Sequence, residues 1–94
     1  MNIRVEWDDR KNEINRRKHG ISFETAAYVF LDEYRLEDVD EAHSTDELRY
    51  ITIGRVHSVI FVVYTQRGET SRLISARMAT PLERRAYYGQ FDHS

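Results

Sequence analysis

The chain has 94 residues, a formal net charge of −2 and no cysteine, which allows one modest domain and excludes a disulfide staple or a zinc-thiolate site. Its 40% hydrophobic and 12% aromatic content must supply the core unaided. The longest apolar run, Val59-Ile60-Phe61-Val62-Val63-Tyr64, has a strand's length rather than a bilayer's. Arg4 and Glu6 stand where a signal peptide needs apolar residues, so the expectation is a soluble, cytoplasmic single domain over residues 1–94 with no membrane partner.

Ile3, Val5 and Trp7 alternate with Arg4 and Glu6, the period of a half-buried strand. Asp8 follows as an N-cap, opening a helix through Lys11, Ile14 and Arg17 that stops at Gly20, a favourable residue just past a helix end. This helix is polar, with only Ile14 expected inside. Ser22 caps a second helix, in which Phe23, Ala26, Ala27, Phe30 and Leu31 recur at the spacing of one helical face and read as core. Tyr34 to Val39 reads as a strand, followed by a polar loop through His43 and Ser44.

From Leu48 onward the chain is strand-rich: Leu48 to Gly54 alternates, Val59 to Gln66 is a buried run, and Ser71 to Ala76 mixes apolar and polar residues. Arg55-Val56-His57-Ser58 and Arg67-Gly68-Glu69 are short enough for hairpins, which makes these strands antiparallel neighbours. Thr80-Pro81-Leu82-Glu83 announces a last helix, running to about Tyr88 or Phe91: threonine and glutamate cap each other's backbone N–H, and proline at the first helical position costs nothing. The order is β-α-α-β-β-β-β-α. The expected fold is α+β, two layers, with the two N-terminal helices on one face of a mostly antiparallel sheet.

Eight acids and one base fall between Asp32 and Glu47, so thirteen bases outnumber eight acids in the rest of the chain. Such segregation lets a slightly acidic protein build a basic concave site beside an acidic rim, although an acidic solvated loop with ordinary surface arginines gives the same counts.

Three segments carry a resemblance. Glu6-Trp7-Asp8 with Lys11, Asn12, Asn15 and Lys18-His19-Gly20-Ile21-Ser22-Phe23-Glu24 is similar to the opening of the BrnT toxin family. His43-Ser44, Glu47, Arg49 and Ile53-Gly54-Arg55 resemble its middle, while Val63 to Gly68, Ile74-Ser75-Ala76-Arg77 and Glu83 to Tyr87 resemble its end. The resemblance spans about residues 5–88. It implies a RelE-like fold and a toxin that cleaves RNA and arrests translation. It also implies a cognate BrnA-like antitoxin of ribbon-helix-helix type, through which alone the toxin meets operator DNA. Lacking the strongly basic balance of RelE-like enzymes, this chain suits free RNA better than RNA on the ribosome.

Metal-independent cleavage by 2′-hydroxyl attack needs a proton acceptor, a proton donor and cations for the charge gathering at phosphorus. The expected catalytic set is Arg49, Arg77, Tyr64, His19, Lys18 and Glu47, with Arg67 and Arg72 as substrate-binding cations. Each has a plainer alternative: strand-rim charges for Arg49 and Arg77, surface charges for Arg67 and Arg72, and an ion-pair partner for Glu47. Lys18 and His19 also suit a helix C-terminus, where cations gain up to about 1 kcal/mol, and Tyr64 suits a core whose hydroxyl finds a partner. The four histidines (19, 43, 57 and 93) are scattered singly, so no metal and no cofactor is expected.

The competing reading is a non-catalytic module that docks the antitoxin and serves promoter autorepression. Convergence of Arg49, Arg77 and Tyr64 on one patch would favour the enzyme. The antitoxin is expected to cover the basic patch, and Tyr87, Tyr88 and Phe91 either join that interface or pack the last helix.

Overall fold

The elements are β1 (Arg4–Glu6), α1 (Asp9–His19), α2 (Phe23–Ala26) continued by a 3-10 turn (Ala27–Leu31), β2 (Leu36–Val39), a second 3-10 turn (Glu41–His43), β3 (Tyr50–Val56), β4 (Ser58–Arg67), β5 (Thr70–Met78) and α3 (Pro81–Gly89). The structure, a computed structural model, describes residues 3–92; Met1, Asn2 and the fourth histidine, His93, lie outside the described residues. The five strands form one sheet in the order β1-β5-β4-β3-β2. β1 runs parallel to β5, and the other three pairs are antiparallel. The α+β class, the order of elements and the mostly antiparallel sheet agree with the sequence reading.

The local signals work as expected. The Asp8 carboxylate accepts from the Lys11 N–H at 3.0 Å, and Gly20, at φ 76°, closes α1 with its N–H on the Arg16 carbonyl. Ser22 accepts from the Thr25 N–H, and Thr80 and Glu83 form the reciprocal capping box. The first hairpin turns on His57 alone (φ 63°), with Val56 opposite Ser58; the second turns at Gly68, also at positive φ.

Two residues sit otherwise than the sequence suggests. Leu31 is 66% exposed and Val29 is fully buried in its place. Past Ala26 the chain tightens to three residues per turn, so Phe23, Ala26 and Val29 line up and Leu31 rotates outward. This turn lies directly on β3, where a Cβ added at Gly54 would stand 2.6 Å from a Val29 methyl.

In α1, Ile14 is 55% exposed and Asn15 is the buried residue. β1 ends opposite Arg72, which leaves the outer edge of β5 uncovered further along. Asn15 completes it: its Nδ2 donates to the Ala76 carbonyl at 2.9 Å and its Oδ1 accepts from the Ala76 N–H at 3.1 Å. The same Nδ2 donates to the Ile21 carbonyl beyond the helix end. A side-chain amide carries both donor and acceptor, which neither Asp nor Leu does.

The helix-facing side of the sheet holds the main core: Phe23, Ala26, Val29 and Phe30 against Ile60, Val62, Tyr64, Leu73 and Ala76. A smaller cluster of Val59, Ala79 and Tyr87 lies with α3, flanked by Leu36 and Ile53. Strand alternation sends Phe61, Val63 and Thr65 to the opposite side, with their partners Arg77, Ser75 and Arg72. Residues 72 and 77 share that side despite an odd separation because the register shifts between Leu73 and Ser75, where Ile74 is the extra residue of a bulge.

Asn15→Leu should therefore lower stability by about 3 kcal/mol or more, since three buried backbone hydrogen bonds lose their partner at once. Urea unfolding followed by circular dichroism measures this; a loss under about 1 kcal/mol would contradict it.

Candidate functional site

Glu47, Arg49, Arg67 and Arg72 meet in one pocket of about 230 Å³, at the end of the sheet where β4 finishes and β5 begins. Thr65 lies at its base, and α1 contributes Lys11. An adjoining pocket of about 270 Å³ carries Lys18 and His19 and shares Lys11 and Ile74 with the first. Six of the eight residues expected from sequence thus fall on one continuous surface.

Their charges are not equivalent. Arg67 pairs with Glu47 at 3.2 Å, and this hydrogen bond raises its pKa further. Arg72 pairs with Glu6 at 3.5 Å. Lys11 and Arg49 have no ion pair or side-chain hydrogen bond among the described residues. Two cations are held by carboxylates, and two stand open to an incoming anion.

Lys11 is the residue to which the sequence reading gave no role. The signal was present: Lys11, Asn15, Lys18 and His19 stand at i−4, i, i+3 and i+4, one face of one helix. Because Asn15 is fastened to β5, the other three must flank it.

Arg77 and Tyr64 lie elsewhere. Arg77 shares the open face of the sheet with Arg72 but sits four residues further along β4, roughly 13 Å at the rise of a strand. Its guanidinium lies 3.9 Å over the Phe61 ring and binds Glu83 through two hydrogen bonds of 2.8 and 3.0 Å. Those bonds hold the Glu83 carboxyl below the usual carboxylate range. Arg77 thus fastens the start of α3 to the sheet. Tyr64 is on the helix-covered side, 5% exposed, stacked on Tyr50 and donating its hydroxyl to Glu37 at 2.6 Å. Burial and that carboxylate raise its pKa well above the ordinary phenol range. The sequence expectation that Arg49, Arg77 and Tyr64 converge is not met; each of the last two occupies a structural position, and the cations gather without them.

At the other end of the sheet lies a wider cleft of about 700 Å³. Its floor is organised by Asp32, whose carboxylate accepts from the Tyr87 hydroxyl at 2.5 Å and from the Arg55 and Tyr34 N–H groups. Burial pushes the Asp32 carboxyl up, but these bonds outweigh it and leave the pKa lowered. Burial, with the bond to Asp32, pushes Tyr87 up to about 12. Tyr87 is buried as a packing residue, whereas Tyr88 and Phe91 remain exposed.

No group of three or more His, Asp or Glu side chains among the described residues is arranged to hold a metal ion. No described helix is long and apolar enough to cross a membrane.

Comparison with known proteins places this geometry in a class. The fold is similar to the crystal structure of the Brucella abortus ribonuclease toxin BrnT, with a TM-score of 0.63 and 25% identity over 84% of this chain and 99% of that one. No curated protein sequence matches significantly. The family described as the ribonuclease toxin, BrnT, of type II toxin-antitoxin systems matches residues 7–83. The chain belongs to that family.

The Glu83 carboxyl, with its pKa depressed in the folded state, contributes stability that is present above the unfolded value of about 4.3 and is lost as pH falls through the folded one. Glu83→Gln should flatten the fall in denaturant midpoint below about pH 5, leaving the remaining slope to groups such as Asp32. An unchanged acid limb would remove the Arg77–Glu83 pair from the account.

Proposed function

We propose that this chain is the toxin of a type II toxin–antitoxin pair and a metal-independent endoribonuclease that cleaves RNA in the cytoplasm and arrests translation. The observation that carries this reading is the pocket in which Lys11, Arg49, Arg67 and Arg72 converge, two of them with no ion pair or side-chain hydrogen bond among the described residues. Family membership supports it.

In this mechanism Lys11 and Arg49 bind the non-bridging oxygens of the scissile phosphate and stabilise the charge that grows as the 2′-oxygen attacks. Arginine suits this position because its planar fork never loses its proton and donates two parallel bonds. Arg67 and Arg72 take flanking phosphates, exchanging a carboxylate for a phosphate at little electrostatic cost. That exchange frees Glu47 to accept the 2′-hydroxyl proton. His19, on the adjoining pocket, delivers a proton to the departing 5′-oxygen, and Lys18 holds the next phosphate. The bond from phosphorus to the 5′-oxygen breaks as the bond to the 2′-oxygen forms, leaving a 2′,3′-cyclic phosphate and a 5′-hydroxyl. The neutralising partner is a BrnA-like antitoxin of ribbon-helix-helix type, which alone contacts operator DNA.

One observation favours the second reading, a non-catalytic module that docks the antitoxin for autorepression. Arg77 and Tyr64 spend their polar groups inside the fold.

The purified chain, given RNA in the presence of EDTA, should cut it and leave cyclic phosphate ends. Lys11→Ala and Arg49→Ala should each slow cutting by about a hundredfold, with nearly unchanged unfolding midpoints because neither side chain makes an ion pair or hydrogen bond among the described residues. Cutting at the original rate by both variants would move the site out of this pocket. Folded protein that binds its antitoxin but cuts nothing would establish the second reading.

A further inference from the structure

The cleft at the β3–β4 hairpin end differs in chemistry from the basic pocket. Of the eleven large hydrophobic side chains exposed on the described surface, Tyr28, Leu31, Tyr34, Tyr88 and Phe91 surround this one cleft. An apolar patch gathered in this way marks an interaction surface, whereas the same residues scattered singly would mean nothing. Its walls are already fixed. Tyr34 and Phe91 meet edge to face at 5.0 Å, Gln90 donates to the Tyr34 carbonyl at 2.7 Å, and Tyr87 is tied to Asp32 below. A preformed aromatic surface binds without a large ordering cost.

The charge at the cleft selects the occupant. Asp32 is already engaged by Tyr87 and two backbone N–H groups. Arg55 is exposed, its Nε donates to the His57 carbonyl at 3.4 Å, and its guanidinium makes no ion pair among the described residues, although its backbone N–H is on Asp32. The rim therefore presents a guanidinium without an ion pair next to an imidazole, while the one carboxylate of the floor, Asp32, is held by its own hydrogen bonds among exposed apolar side chains.

We infer that this cleft anchors the antitoxin through a segment carrying two or three large apolar side chains and a carboxylate that reaches Arg55. The inference rests on the reading of the chain as the toxin of a pair, and it places the anchor away from the basic pocket. Arg55 in β3 is six residues from Arg49, which directly precedes that strand, roughly 20 Å at the strand rise. A partner anchored at the cleft must extend that far to cover the RNA site as well. Blocking of the pocket and attachment to the toxin then belong to different parts of the antitoxin.

The test uses the full chain and the small protein encoded beside it. Hydrogen exchange of their complex should protect residues 27–34, 55–57 and 84–91. Leu31→Asp, at an exposed position that leaves the fold intact, should weaken the complex about thirtyfold or more, and Arg55→Glu should weaken it by about tenfold with a smaller salt dependence. Both variants should still cut RNA alone. Undiminished affinity in both, or protection confined to residues 11–19, 45–49 and 65–74, would overturn the anchor while leaving the toxin reading intact. Failure of the unsubstituted chain to bind the neighbouring protein would remove the antitoxin assignment and the anchor with it, yet leave RNA cleavage untouched. Self-association of the chain, abolished by Leu31→Asp, would make a second copy the occupant and overturn the inference.

Discussion

The attachment of α1 to the outer edge of β5 decides where the basic surface lies. A helix with only one large apolar side chain, and that one exposed, has little hydrophobic reason to dock. Asn15 supplies a polar one. Its amide satisfies both backbone groups of Ala76, 61 residues away in the chain, and also a carbonyl just past its own helix. Buried backbone groups without partners are costly, so this position is strongly specified. Helical geometry then carries Lys11, Lys18 and His19 to the pocket side of the clamp. A structural hydrogen bond and the proposed RNA-binding surface share one helix face.

The sheet meets α1 with the same economy. The bulge at Ile74 brings Arg72 onto the face that also carries Arg77, while Leu73 and Ala76 stay in the core. Three acids of the stretch from Asp32 to Glu47 serve separate tasks. Asp32 organises the hairpin-end cleft, Glu37 receives the Tyr64 hydroxyl and pairs with Arg35, and Glu47 neutralises Arg67 at the pocket. A net charge of −2 is compatible with a phosphate-binding surface because charge is segregated along the chain, and Glu37 and Glu47 are paired with Arg35 and Arg67.

Most of the fold was legible in the sequence because its signals are local. Asp8, Ser22 and Thr80 act within one helical turn, and Gly20 and Gly68 mark turns that require their conformation. The exposure of Leu31 was not legible, because nothing in its spacing announces the change from α to 3-10 winding. Asn15 was misread for a different reason: its partner is distant, and a polar residue on a polar helix looks solvated. The side of the sheet taken by Tyr64 depends on register. Tyr50 faces Tyr64 across the β3–β4 pair, so Arg49, one residue earlier, must point the other way. Residue types singled out Arg49, Arg67, Arg72 and Lys18, which line the two adjoining pockets, but they also singled out Arg77 and passed over Lys11, because ion pairing and helix docking are set by distant partners.

The central claim is that cations from a helix and from strands far apart in sequence form one site for an RNA phosphate. Its most direct measurement is a nuclear magnetic resonance titration of the labelled chain with a short RNA whose 2′-hydroxyl at the scissile position is replaced by hydrogen, so that it binds without being cut. The account predicts shift changes centred on Lys11, Arg49, Thr65 and Arg72, extending to Lys18 and His19. Changes centred on Arg55, His57 and Phe91, with the pocket residues silent, would contradict it.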